Sequence, residues 1–278
     1  MKNAIKALLV VGLLFGSAFT LYAGGPYEED ERKIIVEGST TVLPIAQAAA
    51  ETFMRQNQGT EIVIRGGGSG VGIASLLDKT CDIADSSRAI KDSELDKATT
   101  NRVDPQAHVV AMDGIAVIVN PVNSLSALTK KQLKDIYTGN ISNWKELGGN
   151  DEKVVVVSRD SASGTFEAFA TLALGGAKVR PDALLQASNQ AVASVVSRTP
   201  GAIGYVGLGY INSEVKALQL DGVTPTKETV LTEKYALSRP LYMYTNGAPT
   251  GTTRDFIEFI MSKEGQKIVD EQGYVALK

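Results

Sequence analysis

The 278-residue chain has one cysteine and one histidine. A lone cysteine forms no intramolecular disulfide and anchors no cysteine-rich zinc site. With His108 as the single imidazole, there is little room for His-based metal chemistry or a His-dependent triad. No excess of basic residues draws the chain to nucleic acid or to an anionic membrane, because the formal net charge is −3. An anionic ligand must therefore be captured by local groups rather than by the overall field. Long repeats are absent, which excludes collagen-like and solenoid architectures. With 44% hydrophobic and 21% charged residues the chain is not a disordered tail. Its length accommodates one large or two medium domains.

The N-terminus carries Lys2 and Lys6, then an apolar run from Ala7 to Ala23. That run is shorter than the ~20 residues that span a bilayer, and Gly12 and Gly16 interrupt it. Small residues at Ala23 and Gly24 suit signal-peptidase cleavage. A removable signal peptide is expected at 1–23, followed by a soluble exported, periplasmic chain. Its loss takes away two lysines and lowers the formal charge from −3 to −5. Cys81 would then be a thiol in an oxidising compartment, best accounted for as a small buried apolar residue. Residues 24–32, GGPYEEDER, read as a polar leader.

From Lys33 onward, short β-branched runs alternate with helical ones. KIIVE (33–37), EIVIR (61–65), CDIAD (81–85), GIAVIVN (114–120), VVVVS (154–158) and PLYMYTN (240–246) read as strands. PIAQAAAETFMRQ (44–56), GVGIASLLDK (70–79), TFEAFATLAL (165–174) and NQAVASVVSR (189–198) read as helices, with two more closing the chain at 253–262 and 264–272. The alternation implies parallel sheet with right-handed crossovers. No Gly/Ser- or Pro-rich linker separates the two α/β sets, so two lobes joined by ordinary strands are expected. GIAVIVN and PLYMYTN are the hinge candidates, and the stretch 210–238 has no firm pattern.

Three segments repeat one design of strand, small polar turn and helix start: VEGSTTVLP (36–44), RGGGSGVGIAS (65–75) and SRDSASGTFEAF (158–169). Each sets hydroxyls and unpaired backbone N–H groups at a helix N-terminus, where the dipole favours negative charge. Ser39, Thr40, Ser69 and Ser163 would each pass for ordinary N-caps. Three such turns together, with Arg159 four residues before Ser163, point to an oxyanion site. Nucleotide motifs fail: Gly67 and Gly72 are followed by Ile73 instead of GK[ST], and no register gives GxGxxG. A hydrolase elbow also fails, since Ser161 stands where GxSxG requires glycine before Ser163.

VEGSTTVLPIA, GGGSGVGIASLLD, DIADSSR, MDGIAVIVNP, LKDIYTGNISNWKELGG, SRDSASGTFEAF, PGAIGYVGLGY and EGQKIVDEQGYV together resemble the periplasmic phosphate-binding proteins of ABC transporters, from about Lys33 to the C-terminus. The resemblance implies a two-lobed α/β type II periplasmic binding fold with the ligand between lobes joined by two crossing strands. Lobe I would span 24–115 and 240–278, and lobe II 116–239. It implies a monomeric, non-enzymatic receptor that needs no cofactor and passes phosphate to a membrane permease. The implied ligand groups are Ser39, Thr40, Thr41, Ser69, Arg159, Ser163, Gly164 and Thr165. The family's proton-accepting aspartate aligns with Ser87, leaving Asp85, Ser87 and Arg88 as the third segment's candidates. Receptors for sulfate or molybdate, a phosphatase and a phosphate-sensing signalling protein are the competing readings.

Overall fold

The computed structural model describes residues 32–277. The expected signal peptide (1–23) and all but the last residue of the leader lie outside them. β1 (Lys33–Gly38) alternates inward and outward, burying Ile34 and Val36. α1 (Leu43–Gln56) carries Pro44 in its first turn, where a missing N–H costs nothing, and buries Ile45, Ala46, Ala49, Ala50 and Phe53. β2 (Glu61–Gly66) and β3 (Ile83–Ser86) flank β1 in parallel, with α2 (Ser69–Leu77) crossing over between them. α3 (Asp92–Asn101) is absent from the sequence reading. Of its side chains only Ala98 is buried, so it has no apolar stripe for a pattern to reveal.

β4 (Pro105–Val119) is the longest strand. The sequence pattern began it at Gly114; the structure extends it back to Pro105. β5 (Ala127–Leu128), α4 (Lys130–Thr138) and a 3₁₀ turn at Trp144–Leu147 follow. Next come β6 (Val155–Arg159), α5 (Gly164–Leu172), β7 (Leu184–Gln186), α6 (Asn189–Arg198) and β8 (Ala202–Gly207). The segment without a firm sequence pattern holds β9 (Lys216–Ala217), β10 (Gln219–Leu220) and α7 (Lys227–Leu231). β11 (Ser238–Asn246), α8 (Gly251–Met261) and α9 (Lys263–Glu271) close the chain.

The main sheet runs β2-β1-β3-β11-β4-β8-β6-β7, with β9 also on β4. Its flanks are parallel as the alternation implies, but the middle is not. β11 runs antiparallel to β3 and β4, and β8 antiparallel to β4. The antiparallel pairs arise where the chain passes between lobes: residues 105–114 of β4 pair with β11, and 115–119 pair with β8.

Two apolar cores lie on either side of that crossing. One gathers Val36, Ile45, Phe53, Ile83, Val110, Leu241 and Phe256, with Ile73, Leu76, Ala84 and Tyr244 on the opposite sheet face. The other gathers Ile115, Val117, Leu133, Trp144, Phe169, Tyr205 and Leu237. The chain leaves the first core after Ala111 and returns to it at Leu241. Val275 makes a further link, exchanging backbone hydrogen bonds of 2.9 and 3.0 Å with Met112. Cys81 is buried and unpaired, and burial pushes its thiol up to about 12, so it packs as an apolar group.

Candidate functional site

The three polar turns found in the sequence meet between the cores. Ser39, Thr40 and Thr41 come from the β1–α1 turn, Ser69 from the start of α2, and Ser163, Gly164 and Thr165 from the start of α5. Ser39, Thr40, Thr41, Ser69, Ser163 and Thr165 are all buried, as is Ser87 after β3. Across the cleft, Thr41 Oγ1 lies 2.9 Å from Thr165 Oγ1, and Gly70 N donates to Ala162 O at 2.9 Å. Gly68 sits at φ +99°, and a Cβ there would approach Ala162 O to 2.6 Å. This turn needs glycine for conformation and for closeness alike.

The ordinary N-cap role accounts for part of this set only. Ser163 Oγ caps Phe166 N at 3.1 Å; Ser39 is not a helix cap, since Val42 is the N-cap of α1 and Ser39 Oγ accepts from Thr41 N within the preceding turn at 3.1 Å. Ser69 caps nothing; its hydroxyl accepts from Ser87 N at 3.0 Å and lies 3.3 Å from Ser87 Oγ. Thr40 and Thr41 instead accept hydrogen bonds of 3.0 Å from Asn189 Nδ2, the first residue of α6. The first-turn amides of Gly164 and Thr165 have no acceptor within α5.

Two buried arginines border this cluster. Arg159 ends β6; its backbone N–H donates to Tyr205 Oη at 3.1 Å, and Tyr205 stacks on Phe169 with ring centroids 4.0 Å apart. Few aromatics are present, and these two are spent on fixing the strand that carries the arginine. Arg159 Nε and Nη2 donate to the Gln186 and Ala187 carbonyls at 3.0 Å, while Nη1 is buried without a partner. Burial opposes its charge most, and Arg239 adds like-charge repulsion.

Arg239 is the second arginine, and with Asp113 and Asn189 it is absent from the sequence-derived set. Its Nη2 donates to Asp113 Oδ2 at 2.8 Å and Thr165 Oγ1 at 3.1 Å; Nη1 reaches Ser87 O at 3.1 Å. Asp113 is fully buried where β4 changes lobes, and its other oxygen accepts from Leu208 N at 2.9 Å. Burial raises its carboxyl, and the facing Arg239 guanidinium opposes that rise. The sequence signal is a carboxylate inside the apolar run MDGIAVIVN, a residue type rarely buried without a partner.

Two expected ligand residues, Arg88 and Asp85, make no side-chain hydrogen bond to the cluster. Arg88 is engaged by carboxylates, with Nη1 and Nη2 donating to Glu94 at 2.8 and 2.7 Å. Its Nε lies 2.6 Å from Glu167 Oε2, a close ion contact off the N–H axis. Asp85 is buried, yet neither carboxyl oxygen has a partner, and burial drives its pKa well above the ordinary carboxylate value. Burial therefore favours the neutral acid in the folded chain. Its stabilising contribution is whole below the unfolded value near 4 and is lost as pH rises through the raised folded value. Asp85→Ala is thus expected to stabilise the protein at neutral pH by roughly 1–3 kcal/mol, the gain shrinking toward pH ~4. Thermal melts at both pH values check this; an equal or lower melting temperature for the variant at neutral pH contradicts it.

The arrangement offers hydroxyls, amides and guanidinium N–H groups from both lobes, and with Arg239 matched by Asp113, one positive charge on Arg159. Nothing in it activates a nucleophile. Ser163 Oγ is occupied as a cap, and His108 is bonded to Thr245 Oγ1 at 2.9 Å on the β4–β11 pair. No group of His, Cys, Asp or Glu among the described residues could hold a metal ion. No helix among them is long and apolar enough to cross a membrane.

Residues 25–264 match the family model described as the PBP superfamily domain. A phosphate-binding protein PstS of Bacillus subtilis is 36% identical over 253 residues, covering 89% of this chain and 82% of its own. That of Borreliella burgdorferi is 32% identical, covering 97% of this chain and 99% of its own. A solved structure from Clostridium perfringens, described as a phosphate ABC transporter substrate-binding protein with bound phosphate, superposes with a TM-score of 0.83 at 36% identity, covering 88% of this chain and 100% of that one. Two α/β lobes with a polar cluster between them, matched over nearly all of the chain by these binding proteins, place it in the PBP superfamily, in the family of the phosphate-binding proteins PstS.

Proposed function

We propose that the chain binds inorganic phosphate in the cleft and delivers it to the permease of an ABC importer, outside the cytoplasmic membrane, without turning it over. One observation carries the reading: Arg159 has a buried, unpartnered Nη1 and only carbonyl oxygens on its other nitrogens. A buried guanidinium lacking a counter-ion is costly, and an oxyanion offsets that cost. The proposed donors are Arg159, the amides of Gly164 and Thr165, and the hydroxyls of Thr40, Thr41, Ser69, Ser87 and Thr165, with Arg239 beside them. Ser163 caps α5 and Ser39 braces its own turn, while Asp85 and Arg88 are left out of this ligand set. Lobes divided at 115/116 and 239/240 would close about β4 and β11 and exclude water.

A ligand that carries a proton needs an acceptor, and hydroxyls can serve as both donor and acceptor. With Asp85 outside the proposed ligand set, discrimination against sulfate is expected to fall short of the 10⁴–10⁵ order reached by sites that leave a polar group unpaired against the wrong ligand. Competition calorimetry with phosphate and sulfate on the chain lacking residues 1–23 is the test. Phosphate is expected to bind in preference to sulfate, and an aryl phosphate ester to remain intact. Preference for sulfate, failure to bind phosphate, or ester turnover would each overturn the reading.

A further inference from the structure

The carboxylate of Glu167 lies in the first turn of α5, just beyond Gly164 and Thr165. It reaches out of its own lobe: Oε2 is 2.6 Å from Arg88 Nε and Oε1 is 2.6 Å from Lys91 Nζ. Both cations belong to the segment after β3, in the lobe that also carries Ser87. Arg88 is already held there by Glu94, which also accepts from Lys91 N at 2.9 Å. The Arg88 contacts are sheltered, with side-chain exposures of 8% for Arg88, 16% for Glu94 and 20% for Glu167, while Lys91 is 47% exposed. Solvent and salt therefore screen the Arg88–Glu167 contact less than they would an open surface pair.

The asymmetry of this network matters. If the lobes separate, Arg88 keeps Glu94, but Glu167 loses both of its ion-pair partners. Its pairing energy is thus present only in the closed form, and a contact made in one of two states shifts the equilibrium between them. The pairing also acts at one location. Arg88 directly follows Ser87, and Glu167 follows the α5 amides, so the clasp registers that helix end on the Ser69–Ser87 pair. We infer that Glu167 is a positioning residue for ligand retention: through Arg88 and Lys91 it holds the first turn of α5 against the opposite lobe and slows release. This rests on the reading that the cleft binds phosphate.

The test is stopped-flow measurement of phosphate association and release over a range of ionic strength, with Glu167→Gln beside the unsubstituted protein. Release is expected to quicken about fivefold to tenfold, the worth of one sheltered and one half-exposed ion pair, with association little changed. Added salt should accelerate release from the unsubstituted protein and have much less effect on the variant. Lys91→Met, which removes one pair and leaves Arg88 with Glu94, should give a smaller acceleration of the same kind. Unchanged release in Glu167→Gln, or a salt response as steep as that of the unsubstituted protein, overturns the inference. Failure of the unsubstituted protein to bind phosphate would instead strike at the functional reading and take the clasp with it.

Discussion

Arg239→Ala is expected to abolish phosphate binding and to cost the fold heavily. Arg239 is 4% exposed and is the counter-ion of a fully buried carboxylate. Removing one member of such a pair leaves the other charged and unpaired, at about 3–5 kcal/mol. For a domain of this size that corresponds to a melting temperature lower by on the order of 10 °C. Binding should fail for two reasons. Thr41, Thr165 and the Ser87 carbonyl all lose a shared donor, and Asp113 adds an unmatched negative charge beside the site. The companion variant Arg239→Met with Asp113→Leu separates the two effects. It should regain much of the lost stability, because well-packed apolar replacements of buried ion pairs are often neutral or better, while binding stays absent. A melting temperature that does not move in Arg239→Ala would show that the pair contributes nothing to the fold.

Gly164→Ala is the second large effect, and it works by shape. A methyl group there would overlap the Ser69 hydroxyl and sit 2.8 Å from Ser69 Cβ and 2.9 Å from Ser87 Oγ. Both serines belong to the opposite lobe, so the methyl group obstructs closure without disturbing either core. Affinity for phosphate should fall about tenfold to a hundredfold, the range of an overpacking cost of 1–3 kcal/mol. Stability should hold or rise slightly, since alanine is the better helix former. Calorimetric titration paired with thermal melts checks both halves. An affinity within twofold of the unsubstituted protein would mean that the ligand is held by a more open arrangement.

Much of the site is written locally in the chain, and that part was readable. Thr40, Thr41, Ser69 and Thr165 sit in strand–turn–helix segments whose chemistry follows from a few adjacent residues. Arg159 stands four residues ahead of its turn and comes with it. Asn189, Asp113 and Arg239 are of another kind. Asn189 follows Ser188, an ordinary helix cap, and its reach to Thr40 depends on a fold that brings positions 149 apart in sequence together. Asp113 and Arg239, 126 positions apart, explain each other only once β11 is laid along β4. Arg88 shows the opposite failure. Its place beside Ser87 suggests an anion contact, but Glu94 and Glu167 arrive from two helices to occupy it. α3, which supplies Glu94, had no apolar periodicity to reveal it. Helices with an inward face, such as α1 and α6, were legible for the converse reason.

The long β4 strand also bears on how the protein is made. Lobe I is discontinuous: β3 is complete by Ser86, but its neighbour β11 begins only at Ser238. A chain emerging from its N-terminus therefore presents β1, β2 and β3 with an unpaired edge until the whole of the second core has been synthesised. Such an edge invites pairing with another chain, and contacts between segments so far apart close slowly. The second core, built apart from Val275 from one continuous segment, can form first and bring the end of β4 and the start of β11 together. Refolding should then be ordered, with protection of β6 and β8 amides preceding that of β3, and the partly folded chain should be most prone to aggregate before β11 docks.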